Sequence, residues 1–192
     1  MDKNRKIKII SSDNRQFPKL LREIPDAPKK IYVLGELPDS SDDSPLIAIV
    51  GTRKATDYGK RFAKEISQKL TEMGAIIVSG LAMGIDTAAH EGAITANGKT
   101  IAVLANGLDS IYPAQNENLA KKIIEFGGAI ISEYEPNTPS YPNQFLERNR
   151  IVSGLSIATI VIEAPDRSGS IVTARLAAEQ GREIFILPGP AN

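Results

Sequence analysis

The stretch LIAIVGTRKATDYG, residues 46–59, decides the fold of this chain. It opens on an apolar run at residues 46–51, and because polar residues do not alternate with apolar ones, the predicted strand is buried on both faces. The small turn GTR follows at residues 51–53, and a segment with helical periodicity begins near Tyr58. A buried strand, a glycine turn and a helix in this order are typical of one unit of a parallel α/β sheet.

The same order recurs along the rest of the chain. Further apolar runs are predicted as strands and lie at residues 75–80, 100–105, 129–133, 158–164 and 183–189. Segments with helical periodicity alternate with them and lie at residues 58–73, 86–96, 116–126, 145–155 and 171–180. We therefore predict an α/β fold with a doubly wound, mostly parallel, extended Rossmann-like sheet of about six core strands.

The region before the first core strand, residues 1–45, is predicted as an N-terminal extension and linker. The run ELPDSSDDSP, residues 36–45, combines Pro, Ser and Asp without an apolar face and is typical of a linker. The residues before it predict a short helix after Pro18 and a short strand near residues 31–34, which is too little to fold alone. The strands and helices that follow form a Rossmann-like domain at residues 46–192.

Composition excludes several classes of site. The 192 residues contain no cysteine and one histidine, His90, which excludes a thiolate nucleophile and a metal site built from cysteines or several histidines. No apolar run reaches the roughly 18 residues that a membrane span requires, so we expect a cytoplasmic protein without a membrane partner. Basic and acidic residues number 23 each, but a net charge of zero can conceal a local basic face.

Motifs for nucleotide cofactors are absent where a doubly wound sheet would place them. The turn after the first core strand lacks the G-x-G-x-x-G pattern, and the second strand ends at Ser79 and Gly80 without the acidic residue that holds a ribose. The tripeptide GKT at residues 98–100 resembles the end of a P-loop, but it leads from a helix into a strand. We expect neither a bound cofactor nor a bound metal.

Asp86 and His90 lie four residues apart and share one face of a predicted helix. Such a pair can transfer a proton or contribute to a metal site, but two groups do not complete one. An aspartate near a helix N-terminus, followed by a structural histidine, is the favoured interpretation.

Three small turns at predicted strand ends form the first candidate binding feature. Each precedes a helix, so its backbone N–H groups lie at the positive end of a helix dipole, where anions bind. The alternative is that their glycines only permit tight turns and close packing. The candidate residues of these turns are Gly51, Thr52, Arg53, Lys54, Ser79, Gly80, Met83, Gly84, Ser168, Gly169 and Ser170.

The segment NQFLERNRIVSGLS, residues 143–156, forms the second candidate feature. Its candidate residues are Phe145, Arg148, Asn149 and Arg150. Arginine pairs with phosphate and an exposed aromatic ring stacks on a base, which are the two elements of single-stranded nucleic-acid binding. In the alternative interpretation Phe145 is buried in the core and the arginines pair with Glu147 or Glu163.

Six segments, in order, resemble the DprA (Smf) family of bacterial DNA-processing proteins over residues 17–190. They read IAIVGTRKATDYG, VSGLAMGIDTAAHEGAI, IAVLANGLDSIYPAQN, ISEYEPNTP, FLERNRIVSGLS and EAPDRSGSIVTARLAAEQGREIFILPG. The resemblance implies an extended Rossmann-fold protein that is not a known enzyme and that binds single-stranded DNA entering during natural transformation. It also implies three partner interactions: loading of the RecA recombinase onto that strand, displacement of single-strand binding protein, and formation of a homodimer.

On this resemblance Arg53, Phe145 and Arg148 fall on the DNA-binding pocket, and the glycine turns line it. The chain departs from the family at Met83, where many relatives carry Lys or Arg, so we expect a lower affinity for DNA. It also has Leu146 where proline is common. Relatives have an N-terminal helical domain and continue past the final FILPGPAN, so we expect a chain truncated at its C-terminus relative to them.

Two alternative functions share this fold. One is a nucleotide-binding enzyme similar to the LOG-type phosphoribohydrolases, which cleave nucleoside monophosphates, although their PGGxGTxxE loop is replaced here by DRSGSIVTARLAAE. The other is a sensor that binds a nucleotide-derived ligand without turnover. A sensor would use the glycine turns but would not need Phe145 and Arg148.

Overall fold

The computed structural model describes residues 6–38, 43–166 and 168–187. These residues form one sheet of eight strands with helices on both faces, which confirms the predicted α/β class. The strands are β1 (Lys8–Ser11), β2 (Lys30–Gly35), β3 (Leu46–Gly51), β4 (Ile76–Ser79), β5 (Thr100–Val103), β6 (Ala129–Ser132), β7 (Ala158–Ile162) and β8 (Glu183–Ile186). The helices are α1 (Lys19–Arg22), α2 (Asp57–Glu72), α3 (Ile85–Thr95), α4 (Glu117–Glu125), α5 (Pro142–Gly154) and α6 (Gly169–Glu179), and a 3₁₀ turn, Ala114–Asn116, precedes α4.

The order of the strands in the sheet is β1-β2-β6-β5-β4-β3-β7-β8. The six strands from β3 to β8 are parallel and correspond to the six apolar runs. From β3 the chain proceeds through β4, β5 and β6 on one side, and it then returns to place β7 on the other side of β3. Such a reversal opens a crevice at the carboxyl ends of the strands, which is where doubly wound sheets bind ligands.

The region before residue 39 adds β1 and β2 to this sheet, which raises the number of strands from about six to eight. β2 pairs antiparallel with β6, and Tyr32 lies opposite Ser132. Phe17 and Leu21 pack into the same hydrophobic core as the strands of the parallel sheet. Residues 39–42 of the predicted linker and residues 188–192, which include the last two residues of the final apolar run, lie outside the described residues.

Two helical layers cover the sheet, with α2, α3 and α4 on one face and α1, α5 and α6 on the other. The strands are apolar on both sides because both sides are covered: Ile49 of β3 packs with Ile85 of α3, whereas Val50 packs with Val152 of α5. Each isoleucine or valine buried in this way stabilises the fold by about 1.5–3 kcal/mol relative to an exposed side chain. Within the described ranges, no helix combines the length and apolar character that a bilayer span needs.

Candidate functional site

A cleft of about 610 Å³ opens at the carboxyl ends of β3, β4 and β7. The turns that follow these three strands form part of its wall, and residues of α5 form another part. The structure thus brings the three glycine turns and the α5 segment together at one edge of the sheet. The predicted residues that line the cleft are Gly51, Thr52, Arg53, Gly80, Phe145, Arg148, Asn149, Ser168, Gly169 and Ser170.

The other predicted residues lie outside the wall of the cleft. Lys54 and Met83 are exposed beside it. Ser79 is fully buried and its hydroxyl donates to the carbonyl oxygen of Ile49 at 2.7 Å. Gly84 has φ +84°, and a Cβ there would lie 2.4 Å from the carbonyl oxygen of Thr52, so this glycine permits contact between two of the turns.

Arg150 does not face the cleft either, because its guanidinium forms an ion pair with Glu133. Arg150 was predicted as a candidate DNA-binding residue, and it instead pairs with an acid as in the alternative interpretation, although that acid is Glu133 and not Glu147 or Glu163. Glu133 directly follows β6. The fold therefore brings an acid from the end of a strand to Arg150, and this acid was not one of the two considered from the sequence.

A cation and two aromatic rings stand together at the mouth of the cleft. The guanidinium carbon of the exposed Arg53 lies 5.0 Å from the ring centroid of Phe145. The Phe145 ring is half-buried, and its centroid lies 5.4 Å from that of Tyr112, with the rings tilted by 56°. A cation and aromatic rings arranged in this way can make stacking and cation–π contacts with a base or another flat π-system.

Tyr112 is a site residue that the sequence analysis missed. It is 46% exposed and lines the cleft from the loop that follows β5. The signal was available, because the loops after parallel strands meet at one edge of the sheet and Tyr112 is the aromatic residue of the loop at residues 104–113.

Arg148, predicted to contact phosphate, lies in the floor of the cleft and is only 4% exposed. Its Nη1 donates to the carbonyl oxygens of Gly80, at 2.6 Å, and of Val103. Its Nε has no hydrogen-bond partner among the described residues. Arg148 therefore ties α5 to the ends of β4 and β5 before any ligand is present.

The carboxyl group of Asp86 lies in the same floor and interacts electrostatically with Arg148. It accepts hydrogen bonds from the backbone N–H groups of Gly80, at 3.1 Å, and Ala82, at 3.2 Å. Burial raises the pKa of Asp86, and the charge of Arg148 opposes that rise. Burial lowers the pKa of Arg148 to about 10, with Asp86 opposing the decrease, so Arg148 is charged at neutral pH.

Glu163, at the end of β7, anchors the turn that carries Arg53. Its carbonyl oxygen accepts from the N–H of Thr52 at 3.0 Å, and its carboxylate accepts from the N–H of Thr56 at 2.8 Å and from the Thr56 hydroxyl. Glu163 adopts φ +50°, a left-handed conformation that costs a non-glycine residue about 1 kcal/mol or more. Strain of this kind persists only where the surrounding contacts require it.

The first residues of α6 form the wall opposite the β4 loop. The Ser168 hydroxyl accepts from the N–H of Ile171 at 3.4 Å and lies 2.9 Å from the hydroxyl of Ser170. The cleft is thus lined by the positive end of a helix dipole, which favours anions.

His90 lies in the core and away from the cleft, as expected of a structural histidine. It is fully buried, and its Nδ1 lies 2.7 Å from the hydroxyl of Thr100. Burial and the charge of Arg148 lower its pKa to about 3. Within the described part of the chain, no group of three or more His, Cys, Asp or Glu side chains is arranged to hold a metal ion.

These features define a doubly wound α/β protein with a cleft at its topological switch point, lined by a helix N-terminus and bordered by aromatic rings. The chain belongs to the family described as DNA recombination-mediator protein A, whose profile matches residues 8–192. It is thus a member of the DprA/Smf DNA-processing proteins, as the resemblance implied.

Comparisons with individual proteins agree with this membership. Protein Smf of Synechocystis is 46% identical over 181 residues, which cover 93% of this chain and 45% of that protein. The X-ray structure of DNA processing protein A from Streptococcus pneumoniae matches with a TM-score of 0.87 and 40% identity. The match covers 96% of this chain and 64% of the Streptococcus pneumoniae chain. A structure of DNA processing protein A from Helicobacter pylori is described for its single-stranded DNA binding mode and matches with a TM-score of 0.87 and 35% identity. The match covers 100% of this chain and 85% of the Helicobacter pylori chain.

The chain spans about half the length of the curated relatives that it matches. The match therefore establishes the family and the fold of this part, whereas activities of the whole relatives are matters for proposal.

Proposed function

We propose that this chain binds single-stranded DNA in the cleft at the carboxyl ends of β3, β4 and β7. The observation that carries this proposal is the exposed Arg53 guanidinium, 5.0 Å from the ring of Phe145, at the mouth of a cleft lined by the start of α6. A strand presents phosphates and π-faces in alternation, and the cleft provides a partner for each. The Helicobacter pylori relative, which is described for its single-stranded DNA binding, has the same fold.

Each part of the cleft has a separate role in this proposal. Arg53 and the N-terminal turn of α6 contact phosphate oxygens. Phe145 and Tyr112 provide stacking surfaces for bases, which are worth about 1–3 kcal/mol for each stacked base. Arg148 acts from the floor, where its charge adds to the positive potential while its hydrogen bonds hold the walls in place. Binding is then salt-dependent and largely independent of sequence.

The wider role follows from the family rather than from the cleft. In this proposal the chain is part of a recombination mediator that protects incoming single-stranded DNA, loads RecA onto it, displaces single-strand binding protein and acts as a homodimer. The support is membership in a family described as recombination mediators.

We further propose that the cleft binds its ligand without catalysis. Two carboxylates stand close enough to be considered as general bases, and both are engaged. Asp86 is buried and accepts from two N–H groups, and Glu163 accepts from Thr56. A carboxylate held in this way is a structural acceptor, which supports a binding role over the phosphoribohydrolase alternative.

The test is fluorescence anisotropy of a labelled oligo-dT of about 20 nucleotides across a salt series. We expect affinity to fall as salt rises, and we expect Arg53→Gln to weaken binding and reduce the slope of log affinity against log salt by about 0.7. Lys69→Gln is the matched control, because it removes one exposed charge near the end of α2, at the opposite edge of the sheet. Equal binding by the parent protein and Arg53→Gln would place the site elsewhere.

Competition separates the alternative functions. Excess AMP and duplex DNA should leave the bound strand in place, and incubation with AMP should release no adenine. Displacement by AMP would favour a nucleotide sensor, and release of adenine would favour the enzyme.

A further inference from the structure

A second depression, of about 400 Å³, lies between α2, α3 and the start of α4. We call it the lateral groove. It has no counterpart among the motifs of the sequence analysis, and its wall contains polar and charged side chains. They include Lys64, Thr87, Gln115, Asn116, Asn118 and Lys122.

The lateral groove shares a wall with the cleft. Ala82 lines the cleft and Thr87, five residues later, lines the groove. Tyr112 lines the cleft and Gln115, three residues later, lines the groove. The two depressions are therefore separated only by the short segments at residues 82–87 and 112–116.

A buried amide holds these two segments together. The Nδ2 of Asn116, a residue only 5% exposed, donates to the carbonyl oxygen of Leu81 at 2.8 Å and to the hydroxyl of Thr87 at 2.9 Å. Because a buried and hydrogen-bonded amide fixes the position of both segments, the path from Tyr112 to the groove is a rigid surface.

The charged side chains of the lateral groove favour the binding of a polyanion. Lys64 of α2 and Lys122 of α4 are both exposed, and neither forms an ion pair within the described ranges. Lys121, next to Lys122, is by contrast paired with Glu117 at 3.1 Å. Glu91 is the acid among the lining residues, so the two lysines outnumber it.

The remaining chemistry of the groove differs from that of the cleft. Exposed Gln115 and Asn118 can donate hydrogen bonds to phosphate or sugar oxygens, and the lining contains no aromatic ring among the described residues. A surface with cations and amides but without rings contacts the backbone of a strand and does not stack its bases.

We propose that the lateral groove is a second phosphate-binding site for the same DNA strand, which passes from Phe145 over Tyr112 to Lys64 and Lys122. This inference rests on the proposed function, since it extends the strand that occupies the cleft. It assigns the ligand of the groove to the sugar-phosphate backbone, and it predicts a longer binding site than the cleft alone provides.

The test compares oligo-dT of about 6 and about 20 nucleotides on the double variant Lys64→Gln with Lys122→Gln. We expect affinity for the long oligonucleotide to fall on the order of tenfold at low salt, and its salt slope to decrease by about 1.4, because two phosphate contacts are lost. Affinity for the short oligonucleotide should change less than twofold. The matched control is Lys69→Gln with Lys99→Gln, which removes two exposed charges at the opposite edge of the sheet and should change neither affinity.

The outcomes distinguish this inference from the proposed function. If Arg53→Gln weakens both oligonucleotides while the lysine variant weakens neither, the cleft binds DNA and the groove does not. An equal loss for short and long oligonucleotides, or the same loss in the control pair, would show a general effect of charge and overturn the inference. If the parent protein binds neither oligonucleotide, both proposals fail together.

Discussion

The guanidinium of Arg148 donates a hydrogen bond to the carbonyl oxygen of Gly80 at 2.6 Å. This contact joins α5 to the loop after β4, and it depends on the absence of a side chain at residue 80, where a Cβ would lie 2.6 Å from Nη2 of Arg148. The floor of the cleft is thus a buried arginine placed against a glycine, and the shape of the site depends on both.

Replacement of Arg148 should destabilise the protein, whereas replacement of Arg53 should not. Arg148→Met leaves the carbonyls of Gly80 and Val103 without their donor and removes the positive charge that compensates Asp86. We expect the free energy of unfolding to fall by about 2–4 kcal/mol. Arg53→Gln changes an exposed side chain and should stay within about 0.5 kcal/mol. Urea denaturation of both variants measures this, and equal stabilities would contradict the structural role of Arg148.

Gly80→Ala should disturb the hydrogen bond between Arg148 and Gly80 by adding a side chain to the residue that accepts it. The new methyl group displaces the guanidinium, and we expect a loss of about 1–3 kcal/mol in the free energy of unfolding. Gly169→Ala is the matched control in the same cleft, because the nearest atom to its Cβ would be Nδ2 of Asn149 at 3.7 Å, an ordinary contact. Thermal unfolding of the two alanine variants compares them directly. The interpretation fails if Gly80→Ala is as stable as Gly169→Ala.

Glu163 should act on DNA binding through Arg53. Glu163→Ala removes the acceptor for Thr56 and frees one end of the turn that carries Arg53, so we expect weaker oligo-dT binding even though a negative charge is lost. Glu163→Gln keeps an oxygen that can accept from the Thr56 N–H and should restore most of the affinity.

A double-mutant cycle with Arg53→Gln tests this coupling. If Glu163 works by positioning Arg53, the double variant Glu163→Ala with Arg53→Gln should bind about as weakly as Arg53→Gln alone, with a coupling free energy of about 0.5–3 kcal/mol. Additive losses would show that Glu163 acts independently of Arg53.

The single histidine should make stability depend on pH. The hydroxyl of Thr100 donates to the carbonyl oxygen of Ile77, so Nδ1 of His90 must be the donor to Thr100, and a proton added at Nε2 would have no acceptor among the described residues. The folded state therefore binds this proton only near pH 3, whereas the unfolded chain binds it near pH 6.5.

The sign of the effect follows from these two pKa values. Above pH 6.5 His90 is neutral in both states and contributes no pH dependence. Between pH 6.5 and 3 the unfolded chain holds the extra proton, so the free energy of unfolding falls by about 1.4 kcal/mol for each unit of decreasing pH. His90→Gln should lack this slope. Urea denaturation of both proteins at pH 7, 6 and 5 compares the slopes, and identical slopes would show that His90 titrates normally when folded.

Much of the fold could be predicted from local sequence patterns. All six apolar runs became strands, and each segment with helical periodicity became a helix, because burial of alternate or successive side chains is encoded over a few residues. β1 was missed because it has four residues, of which only Ile10 is buried, so its pattern is too short to stand out.

The candidate site was predicted less completely. The turns were found because glycines and small residues follow three of the strands, and Arg53 and Phe145 do lie together. The pairing of Arg150 with Glu133 and the contribution of Tyr112 were not found, since both depend on which loops the strand order brings together.

The sequence by itself determined the strands, the helices and the turns that carry the site, because these depend on patterns within short segments. Only the tertiary structure decided that Arg53 is exposed at the mouth of the cleft while Arg148 is buried beneath it. Helical periodicity places Arg148 on the same face of α5 as Ile151 and Val152, but the pattern does not specify what packs against that face. Arg148 is buried because its hydrogen-bond acceptors, Gly80 and Val103, lie 68 and 45 residues away in the chain and are brought beside it only when the sheet forms.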